Sequence, residues 1–154
     1  YIAYSGDRPV ACLAWSSSVF RIGSRDEYIG WCGDERSRNI RHIANNSRFL
    51  ILPWIRLKNL ASHLLGLSAR VLAGDWVGFY GYPLYVLETF VDKSRFQGTC
   101  YKASNWIRVG ETVGHAKKGG RFYYHGSKKE VYLYPLVDDF RARLKAISCE
   151  GGAL

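Results

Sequence analysis

A near-continuous apolar run, Phe49-Leu50-Ile51-Leu52-Pro53-Trp54-Ile55, sits in the middle of the chain and constrains its fold most strongly. A strand of that composition is buried on both faces, so layers must lie above and below it. Leu60, Leu64, Leu65, Leu67 and Val71 then recur at helical spacing. The helix starts at Lys58 or Asn59, and Gly74-Asp75 closes it unless Trp76–Tyr80 prolongs it. After Pro83 comes a second apolar strand, Leu84–Phe90. Two buried strands joined by a helix imply a parallel crossover unit. Ser47 to Gly110 thus reads as strand, turn, helix, strand, helix, strand, with Gln97–Ala103 as the second helix and Asn105–Val109 as the last strand.

The flanks predict a mixed sheet covered by helices, an α+β fold. Tyr1–Tyr4 and Val10–Ser16 are β-prone and are separated by Ser5-Gly6-Asp7-Arg8-Pro9, a hairpin signal. Val19–Ile22 and Tyr28–Trp31 suggest short strand pieces. Asp34–Asn45 predicts a short amphipathic helix, with Asp34 as its N-cap and Asn45-Asn46 as its stop. Val113–Tyr124 is rich in Gly and Lys and predicts a mobile loop, within a basic segment over 113–129. Val131–Tyr134 predicts a strand, Val137–Ile147 a helix, and Cys149–Leu154 a flexible tail. At 154 residues and 47% apolar, the chain suits one domain over 1–154.

The formal net charge is +9. A field of that sign attracts nucleic acid, phosphorylated ligands or acidic proteins. Cys12, Cys32, Cys100 and Cys149 show no zinc-ligand spacing, and no metal is expected. They read as reduced thiols, which implies a cytoplasmic protein. The longest apolar run is too short to cross a bilayer, so no membrane association is expected.

Three constellations carry candidate chemistry. The first is the strand-to-helix turn of Ile55, Arg56, Lys58, Asn59, Leu60, Ala61 and Ser62. Unpaired amides and the positive end of a helix dipole favour phosphate or pyrophosphate there. The plainer reading is a turn with solvated basic residues. The second is Glu88, a carboxylate within an apolar strand. Glu88 is either a base of raised pKa or a buried anion paired with an Arg such as Arg48 or Arg56. The third is basic: Lys117, Lys118, Arg121, Lys128 and Lys129 interleave with Phe122, Tyr123 and Tyr124. Such a pattern tracks a phosphate backbone and stacks on bases, or it is a solvated hairpin. Asp26, Glu88, Asp92 and Glu111 have no spacing that demands a metal-dependent nuclease centre.

The turn at Arg56–Ala61 resembles the (R/Q)xxGx(G/A) pyrophosphate motif of GNAT acyltransferases, with Asn59 at the central Gly position. Tyr101 to Gly110 resembles that family's later Y-x-x-x-G-F-x-x-V/I-G segment. There Asn105 replaces Gly and Trp106 replaces Phe. The resemblance implies a GNAT-like mixed sheet without the family's first strand and opening helices, and hence a segment preceding Tyr1. It also implies acetyl-CoA or a related acyl-CoA as cofactor, Tyr101 as acid and Glu88 as base.

A second resemblance covers nearly the whole chain. Arg25–Trp31, Asn45–Trp54, Asn59–His63, Leu87–Asp92 and Gly98–Trp106 are similar to DruA-type domains. These belong to Druantia anti-phage systems and to mobile elements. That likeness implies a defence or transposition role, with nucleic acid or other defence proteins as partners. It leaves acyl transfer and a non-catalytic binding or interaction module both open.

Overall fold

The computed structural model describes residues 1–118, 121–124 and 126–146. β1 (Ile2–Ser5) and β2 (Arg8–Ser17) form the expected hairpin. Two helices follow, α1 (Gly23–Ile29) and α2 (Gly33–Asn39), with one 3-10 turn at Ile40–His42. Then come β3 (Ile43–Ile51), α3 (Leu60–Tyr80), β4 (Val86–Asp92), α4 (Thr99–Ala103) and β5 (Ile107–Glu111). The chain continues through β6 (His115–Lys118), β7 (Arg121–Tyr124), β8 (Lys129–Pro135) and α5 (Phe140–Lys145). The main sheet runs β1-β2-β3-β4-β8-β5, and β6 and β7 form a separate hairpin. Among the described residues only β3 and β4 pair in parallel; the other ladders are antiparallel.

The two sheet faces carry separate cores. On one, Leu65, Ala69, Leu72 and Trp76 of α3 pack with Ala44, Leu87, Val91, Tyr101, Trp106 and Tyr132. Their spacing along α3 (i, i+4, i+7, i+11) forms one apolar stripe. On the other face, Ile29, Trp31, Phe140 and Leu144 pack on Ile43, Val86 and Leu133. The sheet is therefore a middle layer, as the buried strands require.

Several sequence expectations are corrected by tertiary contacts. The helix expected over Asp34–Asn45 ends at Asn39, and Asn45-Asn46 lie inside β3. Tyr85 N–H bonds His42 O at 2.8 Å and Ile43 pairs with Val86, so the sheet claims these residues from the helix. Tyr28–Trp31 is not a strand: Tyr28 and Ile29 end α1, and Gly30 stops it. Val19–Ile22 adds no strand. The run Phe49–Ile55 is not a doubly buried strand. β3 ends at Ile51, and Leu50 is 50% exposed because this half of β3 has no β4 beside it. α3 passes through Gly74 and ends at Gly81, whose φ is 78°. Burying Trp76 outweighs the roughly 1 kcal/mol that an interior Gly costs a helix. The expected mobile loop contains the β6–β7 hairpin. The expected tail, Cys149–Leu154, lies outside the described residues.

Cys12, Cys32 and Cys100 are unbridged. Among the described residues no helix is long and apolar enough to cross a membrane.

Gly110 sets the distance between α1 and the β5 edge. Its φ is 150°, and a Cβ added there would lie 2.6 Å from Ser24 Cβ. Gly110→Ala is expected to lower unfolding stability by about 2 kcal/mol or more, because backbone strain and a clash coincide. Urea unfolding followed by tryptophan fluorescence checks this. An unchanged midpoint would show that α1 moves aside freely.

Candidate functional site

β3 and β4 are joined over only three pairs: Ile43 with Val86, Ala44 with Leu87 and Asn45 with Glu88. Beyond Asn45 and Glu88 the strands diverge. β3 continues to Ile51 paired with β2, and β4 continues to Asp92 paired with β8. The divergence opens a gap of about 750 Å³ at the carboxyl ends of two parallel strands. Ligands enter open sheets at such places, and the size suits a small-molecule site. Asn46, Phe49, Thr89, Val91, Gly98 and Tyr101 are among its lining residues.

Asn46 holds the vertex of this fork. Its Nδ2 donates to Ala14 O on β2 and to Arg48 O on its own strand, both at 3.2 Å. Its Oδ1 accepts the Tyr101 hydroxyl at 2.8 Å. Its backbone carbonyl accepts Thr89 Oγ1 at 3.1 Å, in place of a ladder bond from β4. Ala14 faces Arg48 and Trp15 faces Asn46, so Ser47 is an extra residue that bulges β3 beside the gap. Asn46 was missed in the sequence because an Asn-Asn pair after a helical pattern reads as a stop.

Tyr101 lies at the vertex, carried there by α4. Its ring meets Trp106 edge-on at 5.2 Å and stacks on Tyr132 at 6.1 Å. Burial pushes its phenol up to about 12. It is therefore a neutral hydroxyl at physiological pH, and its proton points at Asn46. Cys100 also lines the gap, and burial pushes its thiol up, so it is not a ready nucleophile.

Glu88 lies on the opposite face from Tyr101, because neighbouring Thr89 is the residue that reaches Tyr101 Oη. Glu88 is fully buried. Its Oε1 accepts Ser18 Oγ at 2.6 Å and Val19 N–H at 3.1 Å. Its Oε2 accepts Arg25 Nη1 at 2.9 Å. The partner is thus Arg25, not Arg48 or Arg56. Arg25 is itself fully buried and also bonds Asp26. In this arrangement Glu88 is an anchor of α1, with both carboxylate oxygens engaged. Asp92 instead bonds Ser94, and Glu111 pairs with Lys93 and Arg108. Among the described residues no His, Cys, Asp and Glu cluster could hold a metal ion.

Ile55, Arg56, Lys58, Asn59, Leu60, Ala61 and Ser62 come together where β3 hands over to α3. Asn59 is the residue before the helix, with φ 62° and ψ 6°, and its side chain makes no cap bond. His63 N–H makes the first helical bond, to Asn59 O at 3.0 Å. The amides of Ala61 and Ser62 precede it, where helix geometry supplies no acceptor. Arg56, Lys58 and Asn59 are exposed beside them. Asn105, with φ 65°, is the other residue standing at a Gly position of the motif. It ends α4: its N–H bonds Lys102 O at 3.2 Å, and Trp106 N–H bonds Tyr101 O at 3.0 Å. That bonding pattern needs a left-handed residue there, and Asn is tolerated.

Lys128 and Lys129 are exposed, and Lys129 also lines the gap. Lys117, Lys118 and Arg121 fall on the β6–β7 hairpin, away from the α3 turn in the chain.

A mixed sheet whose two parallel strands diverge is the fold of GNAT acetyltransferases. Solved structures bear out the fold. The aminoglycoside acetyltransferase AAC(6')-Ib, solved with coenzyme A and kanamycin, superposes with a TM-score of 0.58 at 15% identity, over 93% of this chain and 69% of that one. A GNAT acetyltransferase from Bacillus cereus ATCC 10987 gives 0.51 at 12% identity, over 87% and 68%. An N-acetyltransferase from Staphylococcus aureus Mu50 gives 0.53 at 14%, over 88% and 66%. The chain thus spans about two thirds of these proteins. No curated protein sequence matches it. The family described as Druantia protein DruA matches residues 2–120, and the chain belongs to that family.

Removing one partner of the buried pair leaves an uncompensated charge, so Arg25→Ala should cost about 3–5 kcal/mol. Chemical denaturation measures it. A loss within a few tenths of a kcal/mol would mean that Glu88 finds water instead. The Tyr101 phenol is held above its ordinary value of 10, so its share of stability is complete below pH 10 and disappears as pH rises through about 12. An absorbance titration of wild type minus Tyr101→Phe should show one tyrosine ionising near pH 12. A difference curve centred at 10 would contradict the buried hydroxyl.

Proposed function

We propose that the chain binds an acyl-CoA, such as acetyl-CoA, in the gap between β3 and β4 and transfers the acyl group to an amine. The observation that carries this reading is the fork itself, with a neutral hydroxyl, Tyr101, held at its vertex by Asn46. The fit is chemical as well as spatial. Past Asn45, β3 no longer pairs with β4, so main-chain groups along that edge are free to pair with the amides of an extended ligand arm. Arg56, Lys58 and the Ala61 and Ser62 amides would receive the pyrophosphate.

The bound thioester supplies an activated acyl carbon. In the transfer a C–N bond forms, the C–S bond breaks, the amine loses a proton and the departing thiolate gains one. Tyr101 Oη would give that proton, after exchanging its Asn46 acceptor for the sulfur, and the proton the amine loses would pass to bulk water, from which the phenol is reprotonated. Glu88 serves this reaction by fixing the fork, since its oxygens are committed to Ser18, Val19 and Arg25.

Calorimetric titration with acetyl-CoA is expected to show saturable binding below millimolar concentration. Arg56→Ala with Lys58→Ala should weaken it roughly tenfold or more, while Tyr101→Phe leaves binding in place and slows any acyl transfer roughly 10²-fold. Absence of heat at millimolar acetyl-CoA would overturn the reading.

A further inference from the structure

The gap has a second property that acyl-CoA binding does not account for. Its mouth is cationic, and that mouth is the root of the basic hairpin. Arg48, Arg95 and Lys129 line it, against one carboxylate, Asp92. Asp92 is already occupied by Ser94, whose N–H and hydroxyl both bond its Oδ1. On one lip Arg95 lies over the ring of Phe96 at 5.5 Å, and Phe96 is 60% exposed. A large aromatic left in water beside a guanidinium is the arrangement on which an unpaired base stacks.

The opposite lip is where β8 begins. Lys129 faces Asp92 across the ladder. Its N–H donates to Thr112 Oγ1 at 3.0 Å, and its carbonyl accepts the Thr112 N–H at 2.9 Å. These two bonds clamp the ends of the 113–128 segment together beside the gap. That segment, extended to Lys129, carries five cations and no carboxylate. In the β6–β7 register Lys118 is opposite Arg121, and Lys117 is opposite Phe122. Cations and an exposed aromatic therefore frame the gap, with Lys128 and Lys129 at the start of β8 and Arg95 and Phe96 on the other lip.

We infer that this rim is a binding surface for single-stranded nucleic acid, with the phosphates tracking Lys128, Lys129, Arg48 and Arg95, and with a base stacked on Phe96. Single strands are favoured over duplex because a stacking platform needs unpaired bases. The inference does not depend on the acyl-CoA reading, since the rim lies outside the α3 turn.

Fluorescence anisotropy of labelled dT20 and rU20, with the whole chain and no CoA present, tests it. Binding of either oligomer is expected, falling at least tenfold between 50 and 200 mM salt. Lys128→Ala with Lys129→Ala should weaken it roughly tenfold, and Phe96→Ala several-fold with little change in salt slope. Arg8→Ala with Arg70→Ala, two exposed cations elsewhere, removes the same charge and should shift affinity less than twofold. Equal losses from both pairs of substitutions would overturn the rim and leave only a general field. No anisotropy change at 50 mM salt, or binding of polyglutamate but of neither oligomer, would also overturn it. Circular dichroism of each variant separates lost binding from lost folding.

Discussion

The three-residue ladder between β3 and β4 is the constraint on which the rest depends. A longer parallel ladder would close the sheet and leave no site. What stops it is local. Asn46 gives its carbonyl to the Thr89 side chain instead of to a β4 amide, and the Ser47 bulge turns the rest of β3 towards β2. The same residue's side chain ties β2, β3 and α4 with three polar contacts. In the buried vertex each would be costly to leave unmade. The gap is thus an enforced geometry of the sheet, held open by polar groups that would be unsatisfied if the strands came together.

The two faces of the fork have been given different tasks. One presents Tyr101, whose buried phenol keeps its proton. The other presents Glu88, drawn into an ion pair with Arg25 that draws α1 against the sheet. A carboxylate in an apolar strand has two outcomes, a raised pKa or a partner with hydrogen bonds. Here Ser18, Val19 and Arg25 together supply the second. Placing the ion pair at the last residue pair before the divergence makes α1 part of the support of the gap.

The crossover unit, the hairpin at Gly6 and the Arg56–Ser62 turn were legible because each depends on local chemistry: an apolar run, a turn signal, a change of period. The α2–β3 boundary was not legible. Ile40 and Ile43 fit a helix, and only pairing with Val86 moves Ile43 into the sheet. Gly74 failed as a stop because Trp76 has a core waiting one turn further on. Tyr101 was visible only through the resemblance of Tyr101–Gly110 to a GNAT segment. Its partner Asn46 was hidden, because 55 residues separate them and nothing near Asn46 signals a contact. The Arg25–Glu88 pair was hidden in the same way. A buried carboxylate announces that it needs a cation without saying which of 22 will come.

The two Asn residues at glycine positions of the GNAT motifs separate into different cases once their conformations are known. Both have positive φ, so each meets the backbone demand that makes glycine common there. Asn105 does no more than end α4, and its motif is completed by Trp106 packing back on Tyr101. Asn59 is different, because it adjoins the unpaired amides of α3 and its own side chain caps nothing. A side chain at that point narrows the approach to the backbone and adds an amide donor. If the turn holds a pyrophosphate, it does so with Asn59 as a further ligand in place of the closer approach that glycine allows. The question of cofactor binding in this chain therefore narrows to one residue and one side-chain amide.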